Sequence, residues 1–404
     1  MATCAMRTAW RASGGTWRYS LIYRDTSPAA PACPSAPSST IIHIQKRSLL
    51  VLPMGLDVGL VGVSAYYLTR LKKPDPSNVI SIFGPEPGSK ESEANPEKMV
   101  RCIAHRGAGL DAPENTLEAF RYCVEHECNF IEMDVRSSRD GRLVLLHDQG
   151  LQRLTGADIA DVRAIDWDKI KDVDIGASHP NRKHFKEVHL CLLDEALDYL
   201  LENQVRMILD VKGEDKQVIN GILKSFSTRP ALYKYAAVTC FNPYVLYQIR
   251  KRDPQIVGAL SYRPYCFSAQ DYDAMHGPTN PRFGDNLPLH AALRVCDALH
   301  GAAWRWAARW CGVSAVLLHK DIVNGREVQY WRARGVRVAG WCVNRPLEKL
   351  YWRGVLQAPY LANTLLGEPD VKSRPSRDGS DTERPGPLVD RLLENERRMS
   401  SGQN

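Results

Sequence analysis

The chain has 404 residues, of which 44% are hydrophobic and 25% are charged, and its formal net charge is +7. The length exceeds one average domain, but a single α/β barrel of about 250 residues with flanking segments also accounts for it. A nucleic-acid-binding protein is excluded because no basic, aromatic-interleaved stripe runs through the part predicted to fold. The eleven cysteines show no CxxC or zinc-ligand spacing and cannot all pair, so we expect most to be buried as small apolar residues.

The first 48 residues are rich in Ser, Ala, Pro and Arg and show no sustained periodicity. They contain six basic residues but only one acidic residue, Asp25. This composition predicts a disordered or targeting segment.

An apolar segment follows at residues 49–68, LLVLPMGLDVGLVGVSAYYL, with basic residues on both sides. About 20 apolar residues can span a bilayer, although Asp57 costs about 2.5–3.5 kcal/mol near a helix centre. We predict a single membrane anchor; a cleaved signal or transit peptide and a buried soluble helix are the alternatives. The protein is therefore expected at an endomembrane or the plasma membrane, on a side that the flanking charges do not specify.

The remaining flanks are polar. Residues 69–97 predict a linker that leads into the folded region at 98–366. Residues 367–404 are charged and poor in apolar residues, which predicts a disordered tail with at most one short helix near 388–397.

Short apolar runs alternate with amphipathic stretches between residues 98 and 366. The predicted strands are 100–105, 130–135, 142–147, 206–212, 236–241, 256–262, 313–319 and 336–343. Such a pattern predicts a parallel (β/α)₈ barrel of the TIM type. An open doubly wound sheet is the alternative, but no GxGxxG follows any strand. Residues 263–312 interrupt the rhythm as an insertion late in the barrel.

Titratable side chains stand at the ends of the first four predicted strands, where a barrel collects its reactive groups. They are His105 and Arg106, Glu132 and Asp134, His147 and Asp148, and Asp210 and Lys212. Alternation along a strand places Glu132 and Asp134 on one face, with Cα atoms about 7 Å apart. Converging carboxylates repel each other unless a cation or a proton lies between them, and oxygen ligands suit Mg²⁺ or Ca²⁺.

The two histidines are the expected proton carriers. An imidazole with a pKa of about 6.5 can both donate and accept a proton near neutrality. Arg106 and Lys212 add positive charge suited to a phosphate group. After the first strand, Asn115 is the expected cap of a helix whose apolar face includes Leu117 and Phe120.

Five ordered motifs resemble those of the glycerophosphodiester phosphodiesterase family. They are HRG at 105–107, PENT at 113–116, EMD at 132–134, RLVLLHD at 142–148 and DVKG at 210–213. GWCVN at 340–344 also resembles the family's final barrel strand. The resemblance covers about residues 100–365 and is similar above all to the animal membrane-bound members, which act on glycerophosphoinositol and lysophospholipid-type substrates.

The resemblance implies a metal-dependent hydrolase of glycerophosphodiesters that releases an alcohol and glycerol 3-phosphate. It assigns the divalent cation, Mg²⁺ before Ca²⁺, to Glu132, Asp134 and Asp210, with Glu114 as a further ligand. It assigns the base to His105, the acid to His147, and the substrate phosphate to Arg106 and Lys212.

Two positions depart from the family pattern. Asp210 stands where family members commonly have Glu, which shortens that ligand by one methylene. Asn363 stands where relatives more often have Asp. We expect Asn363 to alter loop or substrate contacts without removing catalysis, because no proton or metal role falls on it.

Alternative functions use the same residues differently. A lysophospholipase D-type enzyme would act on lysophospholipids or N-acyl glycerophosphoethanolamines, and a non-catalytic membrane protein would keep the barrel only for binding. In the insertion, Trp304, Trp306 and Trp310 form either an interfacial patch for membrane lipid or a helix face packed on the barrel.

Overall fold

The computed structural model describes residues 8–13, 16–21, 64–95, 98–273 and 277–365. The chain divides into two compact units, Met1–Asp57 and Val58–Asn404. In the first unit, strands Thr8–Ser13 and Thr16–Leu21 pair as an antiparallel hairpin. The rest of the predicted 1–48 segment, residues 49–63 of the predicted anchor and the predicted tail lie outside the described residues. Within the described ranges, no helix combines the length and the apolar character needed to cross a membrane.

A closed barrel of eight parallel strands forms the second unit, as predicted. Its strands, in chain order, are β1 (Cys102–His105), β2 (Phe130–Ser137), β3 (Arg206–Val211), β4 (Ala236–Cys240), β5 (Val257–Tyr262), β6 (Ala315–His319), β7 (Arg337–Trp341) and β8 (Tyr360–Ala362). Each strand pairs with the next, and β8 pairs with β1 to close the barrel.

Two strand predictions are wrong. Leu143–Leu145, within the predicted strand 142–147, is not a barrel strand but pairs antiparallel with the far end of β2, which runs past the rim to Ser137. The eighth barrel strand is β8, so GWCVN belongs to the seventh strand and the residues after it. Three residues are too few to show the alternation by which a strand is recognised in sequence.

Helices cover the outside of the barrel. The helices between its strands are Leu117–Glu125, Gln152–Thr155, Leu193–Glu202, Lys216–Thr228, Leu232–Tyr235, Pro243–Arg252, Leu287–Trp310, Gly325–Arg332 and Pro346–Tyr351, which continues as a π-helical turn at Trp352–Leu356. Short 3₁₀ turns lie at Val162–Ala164, Trp167–Lys169, Arg182–His184 and Lys320–Ile322. The buried apolar faces of the α-helices and the outer faces of the strands form the larger core cluster.

The predicted linker, residues 69–97, packs against the barrel in its described part. Helices Pro76–Phe83 and Lys90–Ala94 lie within it. Ile82 and Phe83 are buried in the cluster that fills the barrel interior. The backbone N–H of Leu71 donates to Trp310 O at 2.9 Å, and the buried Arg250 donates to Lys72 O at 2.9 Å. The segment that enters the barrel is therefore fixed in place.

The predicted insertion, residues 263–312, has two different parts. Its first part holds a two-residue hairpin, Tyr272–Asp273 with Gly277–Pro278. Its second part is the helix Leu287–Trp310, which lies between β5 and β6 where a barrel helix belongs. Trp304 is buried and donates its Nε1–H to Ser261 O at 3.0 Å, as the packed alternative requires. Trp306 remains exposed.

Gly340 of β7 offers a test of the packing. A Cβ at this position would overlap the indole ring of Trp352, which is buried. We expect Gly340→Ala to lower the stability by about 1–3 kcal/mol, because an overpacked core must shift a rigid ring. Thermal unfolding should show a Tm lower by a few degrees. In the control Gly325→Ala, no atom lies within 4 Å of the added Cβ, so an equal loss in both variants would contradict the explanation.

Candidate active site

A cavity of about 460 Å³ opens at the C-terminal ends of the barrel strands. Six of the eight predicted site residues line it: His105, Arg106, Glu132, His147, Asp210 and Lys212. The seventh, Asp134, is fully buried in contact with Arg106 and Lys212. The eighth, Glu114, contacts Arg106. The barrel therefore brings all of these residues into one neighbourhood.

Three buried carboxylates meet in a small volume. Glu132 and Asp134 on β2 and Asp210 on β3 each offer an oxygen, and these oxygens lie within 4.8 Å of one another. The strand register explains the meeting, because Asp134 pairs directly with Asp210 and Glu132 leaves β2 on the same face. The three residues could hold a divalent cation.

The electrostatics of the group match a cation site. Burial first, and then the neighbouring carboxylates, raise the pKa of Glu132; burial also raises the pKa of Asp210, partly opposed by Lys212. Burial acts in the same direction on Asp134, but Lys212 and Arg106 outweigh it and lower the pKa of Asp134. Asp210 Oδ1 is buried without a hydrogen-bond donor. An all-oxygen donor set fits a hard ion such as Mg²⁺ or Ca²⁺.

Two cations already face this group. Lys212 Nζ lies 3.0 Å from Asp134 Oδ1 and 2.5 Å from Asp210 Oδ2. Arg106 Nε lies 3.4 Å from Asp134 Oδ2. Burial opposes the charge of both cations, but the carboxylates raise the pKa of each, so both stay protonated at neutral pH. Because both side chains line the cavity, they can face a phosphate there.

The turn after β1 is shaped by three consecutive left-handed residues: Arg106, Gly107 and Ala108, with φ of 56°, 76° and 63°. The backbone N–H of Arg106 donates to Glu132 Oε2 at 3.0 Å. A Cβ at Gly107 would crowd Ala119 and the ring of Phe120 on the following helix. Unusual backbone of this kind is common at functional sites.

Asn115 belongs to the site and does not cap the helix. Its φ is 59°, its Nδ2 donates to Asp134 Oδ2 at 2.8 Å, and its Oδ1 accepts from the backbone N–H of Asp134 at 3.0 Å. The cap is Thr116, whose hydroxyl accepts from Ala119 N at 3.1 Å. The prediction for Asn115 is therefore wrong, because asparagine also tolerates the left-handed region and a good cap follows it.

His105 is held by the last strand of the barrel. Its Nδ1 lies 2.5 Å from Asn363 Oδ1, which follows from the pairing of β8 with β1. Burial and the neighbouring Arg106 lower the pKa of His105 to about 3, so the ring is neutral at physiological pH. With an Nδ1–H donated to Asn363, Nε2 keeps its lone pair, 3.7 Å from Glu132 Oε2. Asn363, for which only loop or substrate contacts were expected, thus contacts the predicted base, and its effect on catalysis stays a prediction.

His147 reaches the cavity through the antiparallel hairpin. Leu146 N donates to Asp134 O at 3.0 Å, which places the next residue level with the carboxylates. His147 Nδ1 donates to Asp148 Oδ1 at 2.7 Å, and Arg153 Nε donates to Asp148 Oδ2 at 2.6 Å. These bonds leave His147 Nε2 available to the cavity.

Glu114 lies between two guanidinium groups, outside the three-carboxylate group. Its Oε1 lies 3.2 Å from Arg106 Nη1 and 2.7 Å from Arg153 Nη2. Its role as a metal ligand stays a prediction. Arg136, which the sequence analysis missed, donates to His147 O at 2.7 Å; its position two residues after Asp134, on the same face, was the available signal.

The wall that faces the polar groups is aromatic. Phe241, Tyr272 and Trp341 line it, and the guanidinium of Arg263 lies 5.3 Å from the Tyr272 ring centroid. The cavity therefore combines a charged side, suited to a phosphodiester, with an apolar side.

The fold and the site are those expected of a barrel enzyme that acts on phosphate esters. Comparison with known proteins leads to the same class of enzyme. Residues 105–360 match the Glycerophosphoryl diester phosphodiesterase family. The chain is 30% identical over 290 residues to human "Glycerophosphodiester phosphodiesterase 1", which covers 70% of this chain and 84% of that protein. It is 31% identical over 289 residues to the bovine protein of the same name, with the same coverage. A solved structure from Silicibacter pomeroyi DSS-3 shares the fold, with a TM-score of 0.50 and 18% identity over 74% of this chain and 94% of that one.

The chain therefore belongs to the glycerophosphoryl diester phosphodiesterase family and is a phosphodiester hydrolase.

The contact between Asn363 and His105 predicts a specific kinetic defect. We expect Asn363→Ala to lower kcat about 10²-fold with little change in KM, because the ring of His105 loses its orientation. Asn363→Asp should recover most of kcat, since a carboxylate also accepts from Nδ1–H. Steady-state assays of the two variants decide the point. An unchanged kcat in Asn363→Ala would show that the contact has no positioning role.

Proposed function

We propose that the protein hydrolyses glycerophosphodiesters, such as glycerophosphoinositol, to an alcohol and glycerol 3-phosphate with Mg²⁺ as its cofactor. The observation that carries the proposal is the convergence of three buried carboxylates and two histidines in one cavity. Membership of the family and the name of the human relative support the substrate class.

The carboxylate group would hold the cation through Glu132, Asp134 and Asp210, with Glu114 nearby. When bound, the cation supplies Lewis-acid stabilisation of the negative charge on the phosphoryl oxygens. Arg106 and Lys212 bind the same phosphate from the cavity wall and orient it for in-line attack. Their charges are fixed by the carboxylates, so both act throughout the reaction.

The two histidines would move the protons. His105, neutral because of its burial, takes the proton of the attacking hydroxyl on Nε2; that hydroxyl belongs to water or to the neighbouring glycerol carbon. His147 gives a proton from Nε2 to the departing alkoxide, which would otherwise be a poor leaving group. Asp148 accepts a hydrogen bond from Nδ1–H of His147 and so orients the ring for this step.

A second substrate class is favoured by the aromatic wall. Phe241, Tyr272 and Trp341 give the cavity an apolar side that could accommodate part of an acyl chain. Lysophospholipids or N-acyl glycerophosphoethanolamines would then be cleaved by the same residues.

A substrate panel tests the proposal. We expect the purified protein to cleave glycerophosphoinositol or glycerophosphocholine and to lose this activity in EDTA, with recovery on addition of Mg²⁺. Preference for N-acyl glycerophosphoethanolamine would favour the second substrate class. Release of glycerol 3-phosphate that is insensitive to chelation would contradict the cation role of the carboxylates.

The acid role of His147 has its own test. We expect His147→Ala to lower kcat at least about 10²-fold, because general acid catalysis contributes roughly that much. The matched control is His184→Ala, which removes an exposed histidine of the 3₁₀ turn Arg182–His184, outside the cavity lining. Folding is checked by circular dichroism. Comparable turnover in both variants would remove the acid role.

We also propose that residues 49–68 anchor the protein in an endomembrane or the plasma membrane. The length and apolar character of the segment support this, and residues 64–69 at its end are helical. We expect alkaline carbonate to leave the full-length protein in the membrane pellet and to release the variant Val61→Arg/Val63→Arg, because each arginine costs about 2.5–3.5 kcal/mol in a spanning helix. Release of the unmodified protein would contradict the anchor.

A further inference from the structure

The helix Leu287–Trp310 exposes an apolar stripe along its outer side. Val295, Leu299 and Trp306 are 60%, 65% and 46% exposed. Their spacing of four and seven residues puts them on one face of the helix. Exposed alanines at 298 and 302 lie between them. Twenty-four residues make a helix about 36 Å long, and the stripe from Val295 to Trp306 covers about 17 Å of it.

The charges on this side are basic. Arg294 and Arg309 are exposed on the helix, and Arg70 is exposed beside its end. Its one acidic residue, Asp297, is buried and accepts from the backbone N–H of Phe267 at 2.9 Å. The outer face of the helix therefore presents apolar side chains and positive charge without an exposed carboxylate.

The stripe ends where the apolar N-terminal segment joins the barrel. The ring of Tyr66 lies 5.1 Å from that of Trp306, and Trp306 stacks on Trp310 at 6.0 Å. The next two residues of the segment, Tyr67 and Leu68, are 68% and 86% exposed.

Hydrogen bonds fix this junction. Trp310 Nε1–H donates to Thr69 Oγ1 at 2.9 Å, Arg70 Nε donates to Arg309 O at 3.2 Å, and Leu71 N donates to Trp310 O at 2.9 Å. The end of the predicted anchor and the apolar stripe therefore form one continuous rigid surface.

We propose that this docking face, formed by Tyr67, Leu68, Val295, Leu299 and Trp306, lies on an anionic lipid bilayer. Apolar side chains on a helix of low net hydrophobicity enter the boundary between headgroups and acyl chains, while basic side chains pair with anionic headgroups. This proposal rests on the membrane anchor proposed above, residues 49–68, which includes Tyr67 and Leu68 of the face.

The orientation has a consequence for the catalytic cavity. Arg263, Cys266 and Tyr272 line the cavity and belong to the segment that leads into the helix Leu287–Trp310. One segment therefore connects the rim of the cavity to the helix that would lie on the bilayer, where an amphiphilic substrate would be concentrated.

Photo-crosslinking of the full chain tests the docking face. The protein is reconstituted into phosphatidylcholine vesicles with or without phosphatidylserine, and p-benzoylphenylalanine is placed at Val295 or Leu299. The matched control position is Arg121, exposed on the helix between β1 and β2 on the opposite side of the barrel. Protein that floats with the vesicles is irradiated, and lipid adducts are measured by mass spectrometry. We expect several-fold more phospholipid adduct at both stripe positions than at the control, and a higher yield with phosphatidylserine.

The results of this experiment distinguish a failure of the docking face from a failure of the membrane anchor. Flotation with no lipid adduct above the control at either stripe position would overturn the docking face and leave the anchor standing. A crosslink to protein in place of lipid would overturn it in favour of a second copy. Loss of flotation would overturn both proposals. In Arg294→Glu/Arg309→Glu, the gain from phosphatidylserine should disappear, and a full gain would overturn the preference for anionic lipid.

Discussion

The balance between three buried carboxylates and two half-buried cations is the constraint around which the active site is built. Glu132, Asp134 and Asp210 lie in a medium of low dielectric, where like charges cannot all ionise unaided. Lys212 and Arg106 neutralise Asp134, and Glu132 and Asp210 leave negative charge that a divalent cation could neutralise. The turn after β1, the hydrogen bonds of Asn115 and the β2–β3 register all fix the positions of these charged groups.

Much of this site could be predicted from the sequence because strand periodicity and barrel topology are strong rules. Polar residues at the ends of apolar runs had to meet at one rim, and they do. The missed elements have local signals that are weak or ambiguous. β8 is only three residues long, so Asn363, the partner of His105, could not be placed. Asn115 was assigned to a helix cap because nothing in the sequence shows which of two adjacent capping residues turns inward.

The segment that precedes the barrel, residues 69–97, could be predicted from its sequence only in part. A polar, proline-containing stretch is typical of a linker, yet Ile82 and Phe83 within it close the lower end of the barrel. The contact that fixes Lys72 comes from Arg250, a buried arginine more than a hundred residues away in the chain. Such long-range contacts leave no pattern in the segment itself. These contacts fix the segment rigidly on the barrel.

The central claim is that the carboxylate group binds a divalent cation, and calorimetric titration with Mg²⁺ tests it most directly. Burial raises the pKa of Glu132, and a cation binds the deprotonated carboxylate. Cation binding should therefore release protons, and the measured heat should change with the ionisation enthalpy of the buffer. We expect saturable binding with this buffer dependence in the unmodified protein and its loss in Asp210→Asn. Equal binding in both proteins, or none in the unmodified one, would contradict the account.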